Sequence, residues 1–238
     1  MQPADSPSRS SQAEVVRFPT ASALNLASLD RASQTEEETS HVDAKRKRPK
    51  PGERRVQILH TVAQMLEQPG AERVTTAALA ARLGVSEAAL YRHFASKAQI
   101  FEALIEFIDR SVLGSVAQII EQKPTGPAHA ANIVAVVLEF GENNPGMARV
   151  MVGDALVFEH ERLQQRMNRV FEKLEAALHQ CLRSAPFSND SFLTPDADAR
   201  VAASVLTGFV IGRLQRFVRS GFRNPPSELL DACLARML

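Results

Sequence analysis

The stretch Val74–Lys97, VTTAALAARLGVSEAALYRHFASK, decides how this chain is read. Two short helical patterns, helices 2 and 3, flank a Gly84-Val85-Ser86 turn, and helix 3 is expected to close near Phe94. Ala80, Gly84 and Leu90 fall where a helix-turn-helix needs them. Ala80 is small enough for the second helix to cross close over the first. Gly84 can take the positive φ of a tight turn without steric cost. Leu79, Leu83, Val85, Leu90 and Phe94 supply an apolar inner face. Thr75 and Thr76, then Ser86, then Ser96 stand where N-caps are wanted, because a short hydroxyl side chain accepts from an unpaired N–H of the first turn. The segment therefore reads as a candidate DNA reader.

Outward from this segment the pattern stays helical. Val56, Leu59, Val62, Ala63 and Leu66 form a stripe predicting helix 1 over about Arg54–Glu67, ended by Pro69-Gly70. A long helix 4 is expected from Lys97 to Glu121, with Phe101, Leu104, Ile105, Ile108, Val112, Val116 and Ile119 on one face. Pro124, Gly126 and Pro127 break it. Helices 5, 6, 7, 8 and 9 are predicted over 128–143, from Pro145 to about Val152, from about Ala155 to Arg183, from Pro195 to about Gly221, and over 226–237, respectively. No stretch alternates with period 2 for long enough to be a strand. The fold class is all-α: a helix-turn-helix head at 51–97 and a helical dimerisation and partner-binding body at 98–238. Residues 1–50 read as a disordered tail, rich in Ser, Ala, Gln and Glu. The tail ends in a basic arm, Lys45-Arg46-Lys47-Arg48-Pro49-Lys50, which follows the acidic Glu36-Glu37-Glu38. Beside a DNA-reading motif, such an arm is suited to phosphates or a minor groove.

The 238 residues carry a net charge of only +1, so DNA affinity must come from local patches. Apolar residues make up 45%, enough for a packed core. Trp is absent, and the single Tyr, Tyr91, lies in the second helix of the motif. Cys181 and Cys233 belong to no metal or redox spacing and read as reduced thiols. No apolar run reads as a transmembrane helix, and the N-terminus lacks a signal-peptide core. The expected location is cytoplasmic, without a membrane partner. His60, His93, His129, His160 and His179 are isolated, and no H-E-x-x-H, G-x-S-x-G or phosphate-cradling loop occurs. Catalysis, metals and cofactors are therefore not expected.

A helix N-terminus suits phosphate because its N–H groups are unpaired. Thr75 and Thr76 add hydroxyls there, while Tyr91, His93 and Lys97 lie at the far end of the reading helix. Arg54 and Arg55 stand at the entry to helix 1. Such contacts set register without reading sequence. Base readout falls to Ser86, Glu87, Ala88, Ala89 and Arg92, with Glu87 suited to a cytosine amino group and the alanines to a thymine methyl. The alternative for Glu87 is a purely helix-dipole role. One such helix reads few base pairs, so two heads on a palindrome are expected, and the body should dimerise. The predicted seam is helix 8, with Val205, Gly208, Phe209, Gly212 and Phe217. Glycines inside a helix cost roughly 1 kcal/mol each. Close approach of another helix, from a second copy or within the chain, would offset that.

These residues carry a resemblance. TTAALAARLGVSEAALYRHFASK followed by a long helix resembles the head of TetR-type regulators. SEAALYRHFASK-x-x-IFEALIEFI, LEFGENNPGMARVMVGDALVFEHERLQQRMN and RFVRSGFRNPP resemble the SlmA family of nucleoid-occlusion factors, from about Arg54 to the C-terminus. The resemblance implies a TetR-fold homodimer on double-stranded palindromic DNA, with a pair of dimers on one site left open. It also implies that the DNA-bound form antagonises polymerisation of the division protein FtsZ. The FtsZ tail would dock between helices 4 and 5, at positions matching Phe107, Arg110, Ser111, Glu139, Phe140, Asn143 and Asn144. Glu139 and Asn143 stand where the family pattern carries Gly and Arg. For the two Phe the alternative is core packing. The rival function is a ligand-responsive TetR-type repressor, whose pocket would need apolar and aromatic walls.

Overall fold

The computed structural model describes residues 53–68, 74–122, 126–183 and 194–238. The tail and basic arm, the Pro69-Gly70 stop, Pro124 and most of the 184–195 loop lie outside the described residues. Among those described there is no strand, and the all-α expectation holds. The helices are α1 (Glu53–Glu67), α2 (Thr76–Leu83), α3 (Glu87–Tyr91), α4 (Lys97–Glu121) and α5 (Pro127–Asn143). Then come α6 (Pro145–Met151), a 3-10 turn (Asp154–Leu156), α7 (Glu161–Leu182), α8 (Pro195–Arg219) and α9 (Leu230–Leu234).

Local chemistry explains most of the boundaries. Thr75 Oγ1 accepts from Ala78 N at 3.1 Å, Ser86 Oγ from Ala89 N at 3.3 Å and Ser96 Oγ from Gln99 N at 3.2 Å. Each satisfies an N–H that has no partner inside its helix. Gly84 ends α2 in the left-handed region, with φ +64°. Pro127, Pro145 and Pro195 occupy first-turn positions, where their missing N–H is not needed.

The sequence boundaries fail in three places. The apolar pattern predicts helix 7 from about Ala155, but Gly153 turns left-handed (φ +81°), the chain makes a 3-10 turn, and α7 starts after His160, whose Nδ1 accepts from Arg162 N. Helix 3 closes at Tyr91 rather than near Phe94. The N–H groups of His93 and Phe94 both turn back to the Leu90 carbonyl. The final helix contracts to Leu230–Leu234, flanked by turns, with Leu229 at φ +52°. A fourth correction concerns length: α8 is long and apolar enough to cross a membrane by length and composition. It is nevertheless integrated in the bundle, packing along α7 and against α5 and α6.

The core is continuous from head to body. Ile58, Val62 and Leu66 of α1 meet Leu79, Ala80, Leu90 and Phe94, then Phe101, Leu104 and Ile105 of α4. The body core joins α4, α5, α7 and α8 through side chains such as Ile108, Val137, Met167, Leu174, Leu206 and Val210. Head and body are fastened where α1 packs on α6. A Cβ at Gly146 would run into the Ala63 carbonyl oxygen, so only glycine permits this backbone approach. Glu67, at the end of α1, accepts from Gly146 N. Burial pushes its carboxyl above the usual carboxylate range, against the opposing pull of His60 and that N–H.

Gly146→Ala should lower stability by about 1–3 kcal/mol in urea denaturation, since the backbone must move to admit the methyl group. Gly114→Ala on α4, where a Cβ meets nothing within 4 Å, should raise it by roughly 1 kcal/mol. A raised folded-state pKa means that wild-type stability falls as pH rises through that pKa. Glu67→Gln should therefore raise Tm at neutral pH, and the gain should shrink below the normal Glu range.

Candidate nucleic-acid interface

α2 and α3 meet at their N-termini. Thr75 is exposed and uses its oxygen as the α2 cap, leaving its hydroxyl hydrogen free to donate outward. Thr76 Oγ1 donates to Glu87 Oε2 at 2.6 Å, tying the first turn of α2 to the first turn of α3. Glu87 thus already has a partner inside the head, which fixes the direction of its carboxylate. Ser86, Ala88 and Arg92 are exposed, and Ala89 is half-buried. Tyr91 is 47% exposed, a large aromatic on the surface of a five-residue helix.

The remaining expected DNA contacts are less free. Arg55 donates to the His93 carbonyl and lies 4.0 Å over the Phe94 ring. This pins α1 to the segment after α3. Arg54 Nη1 donates to Gln57 Oε1 at 2.6 Å on its own helix. Lys97, the first residue of α4, forms an ion pair with Glu159 in the segment before α7. Sequence reading missed Glu159. It lies 62 residues from Lys97 in a loop, and nothing local marks an acid there as a partner.

The α4–α5 face assembles the predicted partner set in two layers. Phe140 is fully buried, and its ring centroid lies 6.2 Å from that of half-buried Phe107. Asn144 is buried, and its Nδ2 donates to the Phe140 carbonyl at 2.8 Å, closing the end of α5. Those two side chains serve packing. Arg110 and Asn143 are exposed, and Ser111 and Glu139 are half-buried beside them.

On α8, Val201 and Val205 are 54% and 52% exposed, and Gly208 is exposed one turn further on. A Cβ on Gly208 or Gly212 would meet nothing within 4 Å. Close packing within the chain therefore does not account for these glycines. Phe209 is half-buried under the Arg213 guanidinium, 5.3 Å from its ring. Phe217 is turned inward against Ala148, Val218 and Phe222.

Two family models match separate parts of the chain. Residues 58–104 match the family described as bacterial regulatory proteins, tetR family. Residues 128–235 match the SlmA-like family, described as tetracyclin repressor-like, C-terminal domain. The nucleoid occlusion factor SlmA of Vibrio atlanticus is 44% identical over 180 residues, covering 75% of this chain and 91% of the relative. That of Klebsiella pneumoniae is 46% identical over 180 residues, covering 75% and 90%. This chain belongs to the SlmA family. Among solved structures, the fatty acid degradation regulator FadR of Bacillus halodurans superposes with a TM-score of 0.61 at 17% identity, over 79% of this chain and 96% of FadR. The MbdR regulator of Azoarcus sp. CIB gives 0.58 at 17%, over 76% and 95%. These two show a shared fold. SlmA and TetR-type proteins are DNA-binding regulators, and this family member is not an enzyme.

Thr75→Ala should cost about 1 kcal/mol of stability in urea denaturation, because it removes the α2 cap. Thr75→Ser should restore most of it.

Proposed function

We propose that this chain is a nucleoid-occlusion factor. It binds palindromic chromosomal sites as a homodimer in the cytoplasm and, when bound, antagonises FtsZ polymerisation and so blocks septation over the nucleoid. The observation that carries the reading is a capped helix-turn-helix with an exposed Tyr91, on a chain 44–46% identical over about nine-tenths of its SlmA relatives. Thr75 and Tyr91 contact phosphate, as do Thr76, His93, Arg54, Arg55 and the basic arm. Ser86, Glu87, Ala88, Ala89 and Arg92 face the bases. The exposed Val201, Val205 and Gly208 stripe on α8, continued by Gly212, supports the seam between two copies. On the α4–α5 face, Arg110, Ser111, Glu139 and Asn143 with the edge of Phe107 offer the surface for the FtsZ tail. Phe140 and Asn144 support it from beneath.

The deciding experiment is FtsZ sedimentation with this protein, with and without a palindromic duplex. Assembly should fall only when both are present. Unchanged FtsZ pelleting at saturating duplex would refute the FtsZ part of the reading. Arg110→Glu, on an exposed side chain, should abolish that effect while leaving duplex affinity unchanged. Tyr91→Ala should weaken binding to all duplexes alike and flatten the salt dependence by about 0.9 in log–log slope for each phosphate that the variant no longer engages. A change confined to base preference would refute the phosphate role.

A further inference from the structure

Lys97 stands immediately after the Ser96 cap, where α4 leaves the reading head. Its ammonium is not presented to solvent alone. It forms an ion pair with the Glu159 carboxylate, with the two side chains 25% and 10% exposed. It also lies 5.7 Å from the Phe101 ring. Glu159 sits in the Gly153–His160 connection, far from the head in sequence. A carboxylate this buried depends on its cation. Taking the cation away leaves an uncompensated charge in a poorly solvated place, which is strongly unfavourable. A phosphate that takes up Lys97 must overcome that cost. Neighbouring ion pairs do not depend on this one: Arg162 bridges to Glu102 at 2.9 Å and Lys173 to Asp109 at 2.8 Å, so α7 stays tied to α4 without Glu159.

Resting on the DNA-binding reading above, we propose that Glu159 is a positioning residue for DNA binding: it competes with backbone phosphate for the Lys97 ammonium and holds back one cation per protomer in the free protein. Neutralising Glu159 removes the competitor without touching any residue of α2 or α3. The gain in affinity must then run entirely through Lys97. A general change in the protein's field would not show that dependence.

The test measures affinity for a palindromic duplex across a range of salt concentrations. The proteins are wild type, Glu159→Gln, Lys97→Met, the double variant, and Glu161→Gln as an exposed acid nearby. Glu159→Gln should bind about tenfold more tightly, equivalent to about 1.4 kcal/mol. The double variant should lose that gain, and its log–log salt slope should be flatter than that of Glu159→Gln by about 0.9 per protomer. Glu161→Gln should move affinity much less. Glu159→Asp, which keeps the charge but shortens its reach, should fall between wild type and Glu159→Gln, and stands in if the Gln variant does not fold. Equal or weaker binding by a folded Glu159 variant would overturn the proposal, as would a gain that survives Lys97→Met. Failure of wild type to bind any duplex would instead overturn the DNA-binding reading itself.

Discussion

The contact of α1 against α6 governs the rest of the molecule. Ala63 and Gly146 meet backbone to backbone, at a separation that excludes even a methyl group. Glu67 closes the same joint by accepting from the Gly146 N–H. Interiors packed this closely transmit displacement and do not absorb it. The reading head is therefore an extension of the body core, sharing one continuous cluster with it, and not a bead on a tether. Arg55 over Phe94 and Lys97 against Glu159 tie down the other side of the head.

What could be read from sequence was whatever is decided within a few residues. Thr75, Ser86 and Ser96 cap their helices because capping is a bond to an N–H two or three positions on. Gly84 adopts its left-handed turn for an equally local reason. The stripes of α1 and α4 mark which faces go inward. What stayed illegible was set by distant partners. Nothing in the order of residues joins Lys97 to Glu159 or Thr76 to Glu87. For Phe140 the sequence leaves open a partner anchor or core packing, and α4 decides for packing, while the end of α5 claims the Asn144 side chain. Phe217 stands seven residues after Val210 and eleven after Leu206, on the inward face of α8, so helical spacing already separates it from Val205 and Gly208, and Phe222 packs on it there. The start of α7 escapes the pattern because Gly153 acts through its dihedral angle, which an apolar run passing through it conceals.

The charge balance of the chain, +1 overall, conceals strong local compensation. Acids and bases along the α4–α7 seam are paired in sequence-distant couples, Glu102 with Arg162 and Asp109 with Lys173. Isolated surface pairs of this kind contribute little each. With so small a net charge, an attractive field for a polyanion has to come from local clusters, such as the basic run that precedes the head in sequence.

The bare ridge on α8 bears on geometry at long range. With no Cβ at two successive turns, a helix laid there is stopped by main chain and not by side-chain bulk. Such a crossing behaves as a narrow pivot. Any tilt about it would be multiplied along the bundle before it reached α3, so two glycines would calibrate how far apart two probes can stand.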